Sequence, residues 1–280
     1  MAGEKTTRDV EAFWDSNPLF SGEAETDDLA AFFEKHDAAY RDDVFAGIDY
    51  ETRFFLPEPG DKVLDVGCGV GFWCALFERR GVTDLTAVDI SAKSIEIARQ
   101  RTAHTRFVHA NCEALPLPDG AFGFVNCHGV VHHTPDTQQA LNEIFRVLDP
   151  KGGRASVSVY YENAILRAFP ILAPVIRGVF RLFGRDTGRG RDFGRSLDKD
   201  EIVRLYDGAG NPIGKCYSRR DFVAMLEKAG FENPEIEYYF FPFRFLSLPV
   251  PAMLKPLLVR LFPFMIIANL TRAGDAQSVL

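Results

Sequence analysis

The stretch VLDVGCGVGFW, residues 63–73, decides the fold. Its apolar run is cut by Asp65 and followed by glycines at 67, 69 and 71. A run ending in closely spaced glycines reads as a buried strand turning into a helix, with bare backbone that something can approach. A dinucleotide fold would carry G-x-G-x-x-G here, with pyrophosphate on the helix N-terminus. This chain has G-x-G-x-G instead, and an acid stands two residues ahead of the first glycine. A carboxylate at a strand tip disfavours diphosphate and favours a ligand with a cationic group.

Outward from this stretch, strand and helix alternate. KVLDVG, DLTAVDI, RFVHAN, FGFVNCHG and RASVSVYY read as five strands. GFWCALFERR, AKSIEIARQRT and DTQQALNEIFRVL read as helices, the second capped by Ser91 and the third started by Thr134-Pro135. Such alternation means a parallel sheet with helices on both faces. The rhythm breaks over 163–217, then resumes with the helix SRRDFVAMLEKAG and the strands ENPEIEYYFF and FMIIANLTR. Before residue 60 the chain reads as helical, with Leu29, Phe32, Phe33 and Tyr40 on one face of a helix from about Asp27 to Phe45. The expected organisation is an N-terminal helical segment or lid (1–60), a ligand-binding core (61–162), an inserted cap (163–217) and the C-terminal part of the core with an apolar basic connection (218–280).

The chain has 280 residues, 46% hydrophobic and 25% charged, which suits one large domain with elaborations. A net charge of −7 counts against a nucleic-acid partner, which needs excess Lys and Arg. The N-terminus MAGEKTTRDVEAF lacks the apolar core of a secretory signal. No stretch reaches the roughly 18 uninterrupted apolar residues of a membrane span. Cysteines at 68, 74, 112, 127 and 216 form no C-x-x-C pair and read as reduced thiols, so a cytoplasmic location is expected. Their spacing shows no metal site.

S-adenosylmethionine (SAM) meets the demand for a cation without phosphate, because it carries an α-ammonium and a sulfonium. Asp89 supplies a second element. It ends the second strand, where a carboxylate can accept from both ribose hydroxyls. Asp65, the glycines and Asp89, each at a strand end, form a set that a turn binding nothing would not need.

VLDVGCGVGFW, VDIS and GVVHHTPD...EIFRVLDPKGG together resemble class I SAM-dependent methyltransferases, in particular the ubiquinone-biosynthesis-like small-molecule group. The resemblance covers 62–162 closely and 218–272 more loosely. It implies an α/β, Rossmann-like, seven-stranded and mostly parallel sheet of order 3-2-1-4-5-7-6, with strand 7 antiparallel. It implies that Gly67 and Gly69 meet the methionine part and Asp89 the ribose. The expected donor-site set is Asp65, Gly67, Gly69, Gly71, Asp89, Ile90, Asn111, Cys112 and Glu113. Many relatives have Asp at the tip of strand three to hold the adenine amino group. Here Asn111 stands there and can accept without charge, with Glu113 as second choice. Gly123 and Lys151 also depart from the family pattern, at positions read as structural.

Methyl transfer is an in-line displacement from an activated donor, so much of the catalysis is alignment, and a base is needed only where the nucleophile must lose a proton. The acceptor site is expected beyond the carboxyl ends of the strands. His128, His133 and Tyr160 are the candidate catalytic residues. For His128 and His133 the alternatives are a proton acceptor and a structural imidazole, and His132 reads as exposed or structural. Either Tyr160 or Tyr161 faces the site, by strand alternation. Trp14 and NPLF form a lid or a surface packing element.

Two stretches, 163–185 and 241–264, carry apolar residues with basic charges only: Arg167, Arg177, Arg181 and Arg185 in one, Arg244, Lys255 and Arg260 in the other. Their candidate roles are peripheral contact with an inner membrane face, cover for a greasy substrate, or packing on each other or in a homodimer. Pro170, Pro174 and the prolines between 242 and 263 are expected to interrupt any long helix. GRDTGRGRDFGR (184–195) reads as a solvated loop. The sequence thus points to SAM-dependent methylation of a small, apolar, quinone-like or lipid-like acceptor at O, C or N. A non-catalytic SAM-binding partner subunit and a nucleotide-dependent oxidoreductase are the alternatives.

Overall fold

Five parallel strands make the centre of the sheet: β1 Lys62–Val66, β2 Asp84–Asp89, β3 Arg106–His109, β4 Phe124–His128 and β5 Arg154–Tyr161. The computed structural model describes residues 5–19, 28–183, 196–208, 210–243 and 250–273, with the backbone alone for 176 and 179–183. A two-residue strand, β6 Cys216–Tyr217, pairs in parallel with the last two residues of β5. β7 Glu235–Tyr239 and β8 Met265–Thr271 complete the sheet, β8 running antiparallel to both β5 and β7. The order β3-β2-β1-β4-β5-β8-β7 is the expected one once β6 is counted. β6 lies beyond the end of β4, since His128 pairs with Ser158 and Cys216 with Tyr160.

Alternating side chains place a core on each face. Val63, Leu85 and Phe124 belong to one, packed by α4 (Phe72–Arg79) and α5 (Ala92–Arg99). Leu64, Val66 and Val125 belong to the other, packed by α6 (Thr137–Val147) and α9 (Arg219–Ala229). The first face also receives α7 (Ala164–Phe183) through Leu166, Phe169 and Ala173, and α8 (Lys199–Tyr206) through Ile202, Val203 and Tyr206. The remaining helices are α1 (Thr7–Ser16), α2 (Leu29–Ala39), α3 (Tyr50–Arg53) and α10 (Lys255–Leu261).

A polar rung crosses the apolar sheet. Asp65, Asn126, Ser156 and Asn269 are register partners on β1, β4, β5 and β8. Asn126 Nδ2 donates to Asp65 Oδ1 at 2.8 Å, and Asn269 is tied to the backbone at Arg53 and Phe55. Most of the burial cost is met in two pairs, Asp65 with Asn126 and Ser156 Oγ with Asn269 Oδ1, while Asn126 Oδ1 has no partner among the described residues.

Three local expectations change. α6 begins at Thr137, not at Thr134-Pro135. The Asp136 carboxylate takes the cap by accepting from Gln139 N at 3.0 Å, while the Thr134 hydroxyl donates to Val131 O and closes a 3-10 turn over Val131–His133. α2 is capped by Asp28 but ends at Ala39 in a π-helical turn, and the residue it buries is His36 while Leu29 is exposed. α7 runs straight through Pro170 and Pro174. Both prolines are exposed and lie four residues apart on one face, where water can replace the two lost backbone bonds. The loop 184–195, with Arg185, and Arg244 and Phe20 lie outside the described residues.

Candidate active site

The parallel strands end at one edge, and the loops after β1, β2, β3 and β4 line a cleft of about 960 Å³, open mouth included. Gly67, Gly69, Asp89, Ile90, Asn111 and Cys112 all contribute to its wall. Asp65, Gly71 and Glu113 do not. Asp65 is 1% exposed and accepts from Cys74 Sγ as well as from Asn126, and burial pushes its carboxyl up to about 6 against those two bonds. Gly71 packs close to Ala98. Glu113 takes Asp136 N and Asn111 Nδ2 on its two oxygens, tying the turn after β3 to the cap of α6.

The loop amides decide which ligand fits. Gly67 N and Cys68 N both donate to Val88 O, at 2.7 and 3.0 Å, and Gly71 N donates to Cys68 O. Gly69 N donates to Asp89 Oδ2 at 2.7 Å. These donors are spent on the protein, so the loop is not the nest of free N–H groups that a pyrophosphate needs. No Lys or Arg lines the cleft among the described residues. Asp89 Oδ1 accepts from Ser91 N at 2.8 Å, which leaves each carboxylate oxygen one further lone pair for a hydroxyl. Burial raises the Asp89 carboxyl, with the Ser91 and Gly69 amides opposing. The site therefore fits a nucleoside that offers hydroxyls and brings no phosphate.

The two leading glycines differ. At Gly67, with φ +72°, a Cβ would come within 2.2 Å of Val130 Cγ2. At Gly69, with φ +51°, a Cβ would meet nothing within 4 Å and would point into the open space of the cleft.

A second cavity, about 630 Å³ with its open part, shares Trp14, Tyr40, Trp73, His128 and His133 with the first. Its wall is mostly aromatic and includes Phe45, Tyr160, Tyr206, Tyr239 and Phe240. Tyr160 faces this cavity, whereas Tyr161 packs on Tyr238 in the opposite core, which resolves the alternation. Trp14 lies between the two spaces, with its ring 5.3 Å from that of His133. His128 sits edge-on to Trp73 at 4.6 Å and shares a 3.0 Å hydrogen bond with Ser156 Oγ. Burial lowers its pKa to about 3, so it is a neutral ring and a poor proton acceptor. His132 is buried, not exposed.

Asp207, which sequence reasoning missed, also lines the second cavity and is 5% exposed. It receives the Tyr160 hydroxyl at 2.9 Å and lies 3.4 Å from His133 Nε2. The loop after α8 reaches His133 because Lys215 N donates to His132 O and Lys215 Nζ to the carbonyls of Thr134 and Pro135. Its only sequence mark is an acid in a D-G turn, 74 positions from His133 (207 − 133).

Comparison with known proteins agrees with this geometry. A methyltransferase-domain family model matches residues 64–155. The demethylmenaquinone methyltransferase of Staphylococcus aureus is 32% identical over 187 residues, covering 64% of this chain and 71% of that protein. The malonyl-[acyl-carrier protein] O-methyltransferase of Serratia marcescens is 36% identical over 94 residues, and this match spans only 36% of that protein. A SAM-dependent methyltransferase of Thermotoga maritima superposes with a TM-score of 0.55 at 17% identity, covering 93% of this chain and 99% of that one, a likeness of fold. With its strand order, its phosphate-averse glycine loop and its strand-end Asp89, the chain belongs to the class I SAM-dependent methyltransferases, in the ubiquinone-biosynthesis-like group.

Proposed function

We propose that this methyltransferase acts on a small acceptor with an apolar, quinone-like or lipid-like body. The observation that carries the reading is the aromatic cavity adjoining the donor cleft through Trp73, His128 and His133. Resemblance to a demethylmenaquinone methyltransferase supports a quinone-like shape. In this reading Asp89 holds the ribose, Asn111 the adenine edge, and the backbone at Gly67 and Gly69 the methionine part. SAM supplies a methyl group already activated on a positively charged sulfur. The protein's share is alignment and exclusion of water, for which Trp14 and Trp73 stand at the junction of the two spaces. His128 positions the acceptor through its ring edge, since a neutral, weakly basic imidazole holds no proton for it. Residues 199–207 act as part of a cap, contributing Tyr206 and Asp207 to the acceptor wall.

A second feature favours delivery from a lipid phase. Met253, Leu254, Leu257 and Leu261 are all exposed on and before α10, beside Lys255 and Arg260, and Ile171, Leu172 and Val175 are exposed on α7. Among the described residues no helix is long and apolar enough to cross a membrane. Apolar side chains flanked by cations suit a surface that touches anionic lipid.

The test is incubation of the purified protein with methyl-labelled SAM and an organic-solvent extract of cells, then with demethylmenaquinone alone. Label is expected in a compound that partitions into solvent. Label confined to protein or to water-soluble products would remove the apolar-acceptor reading.

A further inference from the structure

α1 (Thr7–Ser16) forms one side of the first cleft. Thr7, Val10 and Trp14 recur at helical spacing and line that cleft, and Val10 is buried. A helix of ten residues is marginal in water by itself, so its seat depends on what it is tied to. One tie is made of well-formed hydrogen bonds. Asp15 Oδ1 accepts from Ser91 Oγ at 2.9 Å and from Lys93 N at 3.0 Å. Lys93 N belongs to the first turn of α5, whose amides have no acceptor within the helix. Asp15 thus brings an anion from another segment to the positive end of α5. The Lys93 amide, and after it the Ser91 hydroxyl, hold its carboxyl below the usual carboxylate range, so it is ionised at neutral pH. Another polar tie of α1, Glu11 with His109 at 3.4 Å, joins two half-exposed side chains and adds little. On its other side α1 rests against the turn after α8, where a Cβ at Gly210 would lie 3.5 Å from the Phe13 ring.

Ser91 connects this tie to the wall of the cleft. Its backbone N–H donates to Asp89 Oδ1 at 2.8 Å, while its hydroxyl goes to Asp15. Asp89 Oδ2 takes Gly69 N at 2.7 Å. One residue therefore bonds the carboxylate that faces the cleft and the carboxylate of α1 at once. Ser91 is fully buried, so it cannot follow a shift of Asp89 without moving the hydroxyl that Asp15 holds.

We propose that Asp15 is a positioning residue that latches α1 across the mouth of the first cleft, so that SAM and its demethylated product enter and leave only when the contact of Asp15 with Ser91 and Lys93 opens. This rests on the reading that Asp89 holds the ribose. Ribose hydroxyls fix the Asp89 carboxylate, the carboxylate fixes Ser91, and Ser91 presents its hydroxyl to Asp15. Occupancy of the cleft and closure of the latch favour each other, and the coupling acts in both directions. Trp14 adjoins Asp15 in the chain and stands in the walls of both cavities, so closing the latch also sets the partition between them.

The probe is S-adenosylhomocysteine, with the full-length protein and no acceptor. The chain has two tryptophans, Trp14 and Trp73, and both line the cleft, so their fluorescence in a stopped-flow displacement reads release of the probe. Asp15→Ala should release it about tenfold faster than wild type, the effect of losing one charge-assisted hydrogen bond. Asp15→Asn keeps an oxygen for Ser91 and Lys93 and should restore most of the slow release. Hydrogen exchange of the Lys93 amide is read in wild type, where no variant's folding intervenes. It should slow about tenfold when the probe saturates the cleft. The Asp221 amide, capped in the same way by Ser218 at the start of α9, lies away from both cavities and should not follow. Release from Asp15→Ala at the wild-type rate overturns the latch, as does a Lys93 amide that exchanges no more slowly with the probe bound. An Asp89→Ala protein that binds the probe as tightly as wild type would instead sink the ribose reading, and with it the coupling through Ser91. None of these readouts involves an acceptor, so failure of the apolar-acceptor reading is seen separately.

Discussion

Gly67 and Gly69 share left-handed backbone but not purpose, and their substitutions should separate. Gly67→Ala combines an unfavourable φ with a Cβ driven against Val130, so a loss of about 2–4 kcal/mol in urea unfolding is expected. Gly69→Ala carries strain alone and should cost about 1 kcal/mol. Its methyl group would enter the cleft, so SAM affinity by calorimetry should fall at least tenfold. Equal stability losses would mean that the Val130 contact relaxes freely. Asp65 gives a second residue-scale test. Its carboxyl stands at about 6 in the folded chain against 3.8 without burial. A raised acid binds more protons folded than unfolded, so this contribution is most favourable below the unfolded value and is lost as pH climbs from about 4 to 6. Asp65→Asn should abolish about 2 kcal/mol of that decline, read as the difference between the two proteins in unfolding free energy at pH 4.5 and pH 7. Carboxyls lowered by their partners, such as Asp37 and Glu78, slope the other way and cancel in the comparison. An unaltered slope would show Asp65 titrating as an exposed acid does.

At the scale of the element, caps and strand patterns behave locally. Ser91 caps its helix as expected, and Asp28 and Ser218 cap theirs in the same way, because each needs only its own carboxylate or hydroxyl and the amides two or three residues on. The start of α6 was misread because Asp136 competes with Pro135 for the same end, and the Thr134 hydroxyl is taken by the turn before it. α7 was misread because a proline's cost depends on whether its face is wet, which periodicity does not report. The exposed side of α10 supplies the element-scale prediction. The protein should sediment with vesicles containing phosphatidylglycerol at low salt, and raising salt or replacing Leu257 by Asp should cut the bound fraction several-fold. Equal sedimentation with neutral vesicles and with Leu257→Asp would remove α10 from the lipid contact.

At the scale of the whole molecule, the site is an assembly of distant segments. His133 comes from the loop after β4, Tyr160 from the end of β5, Asp207 from the turn after α8 and Trp14 from α1. β6 and Lys215 hold the second half of that assembly over the first. The wall of the first cleft was legible because its parts stand in one register: a strand, a glycine loop, and an acid at the end of the next strand. Even there, Asp65 bears on the cleft from below its wall, since a strand's alternation says which face a side chain takes and not what lies above it. In the wall of the second cavity, His128 and His133 were singled out together, yet burial against Trp73 and Phe54 makes His128 a poor base, while His133 lies 3.4 Å from the Asp207 carboxylate.

The chain by itself determined the alternating sheet, the strand-end acids and the aversion to phosphate, because those follow from short-range periodicity and from charges fixed to strand tips. Only the folded molecule decided which imidazole faces a carboxylate and which tyrosine enters the cavity. Burial and the pairing of groups many residues apart are set by how the segments pack, and no local pattern records that.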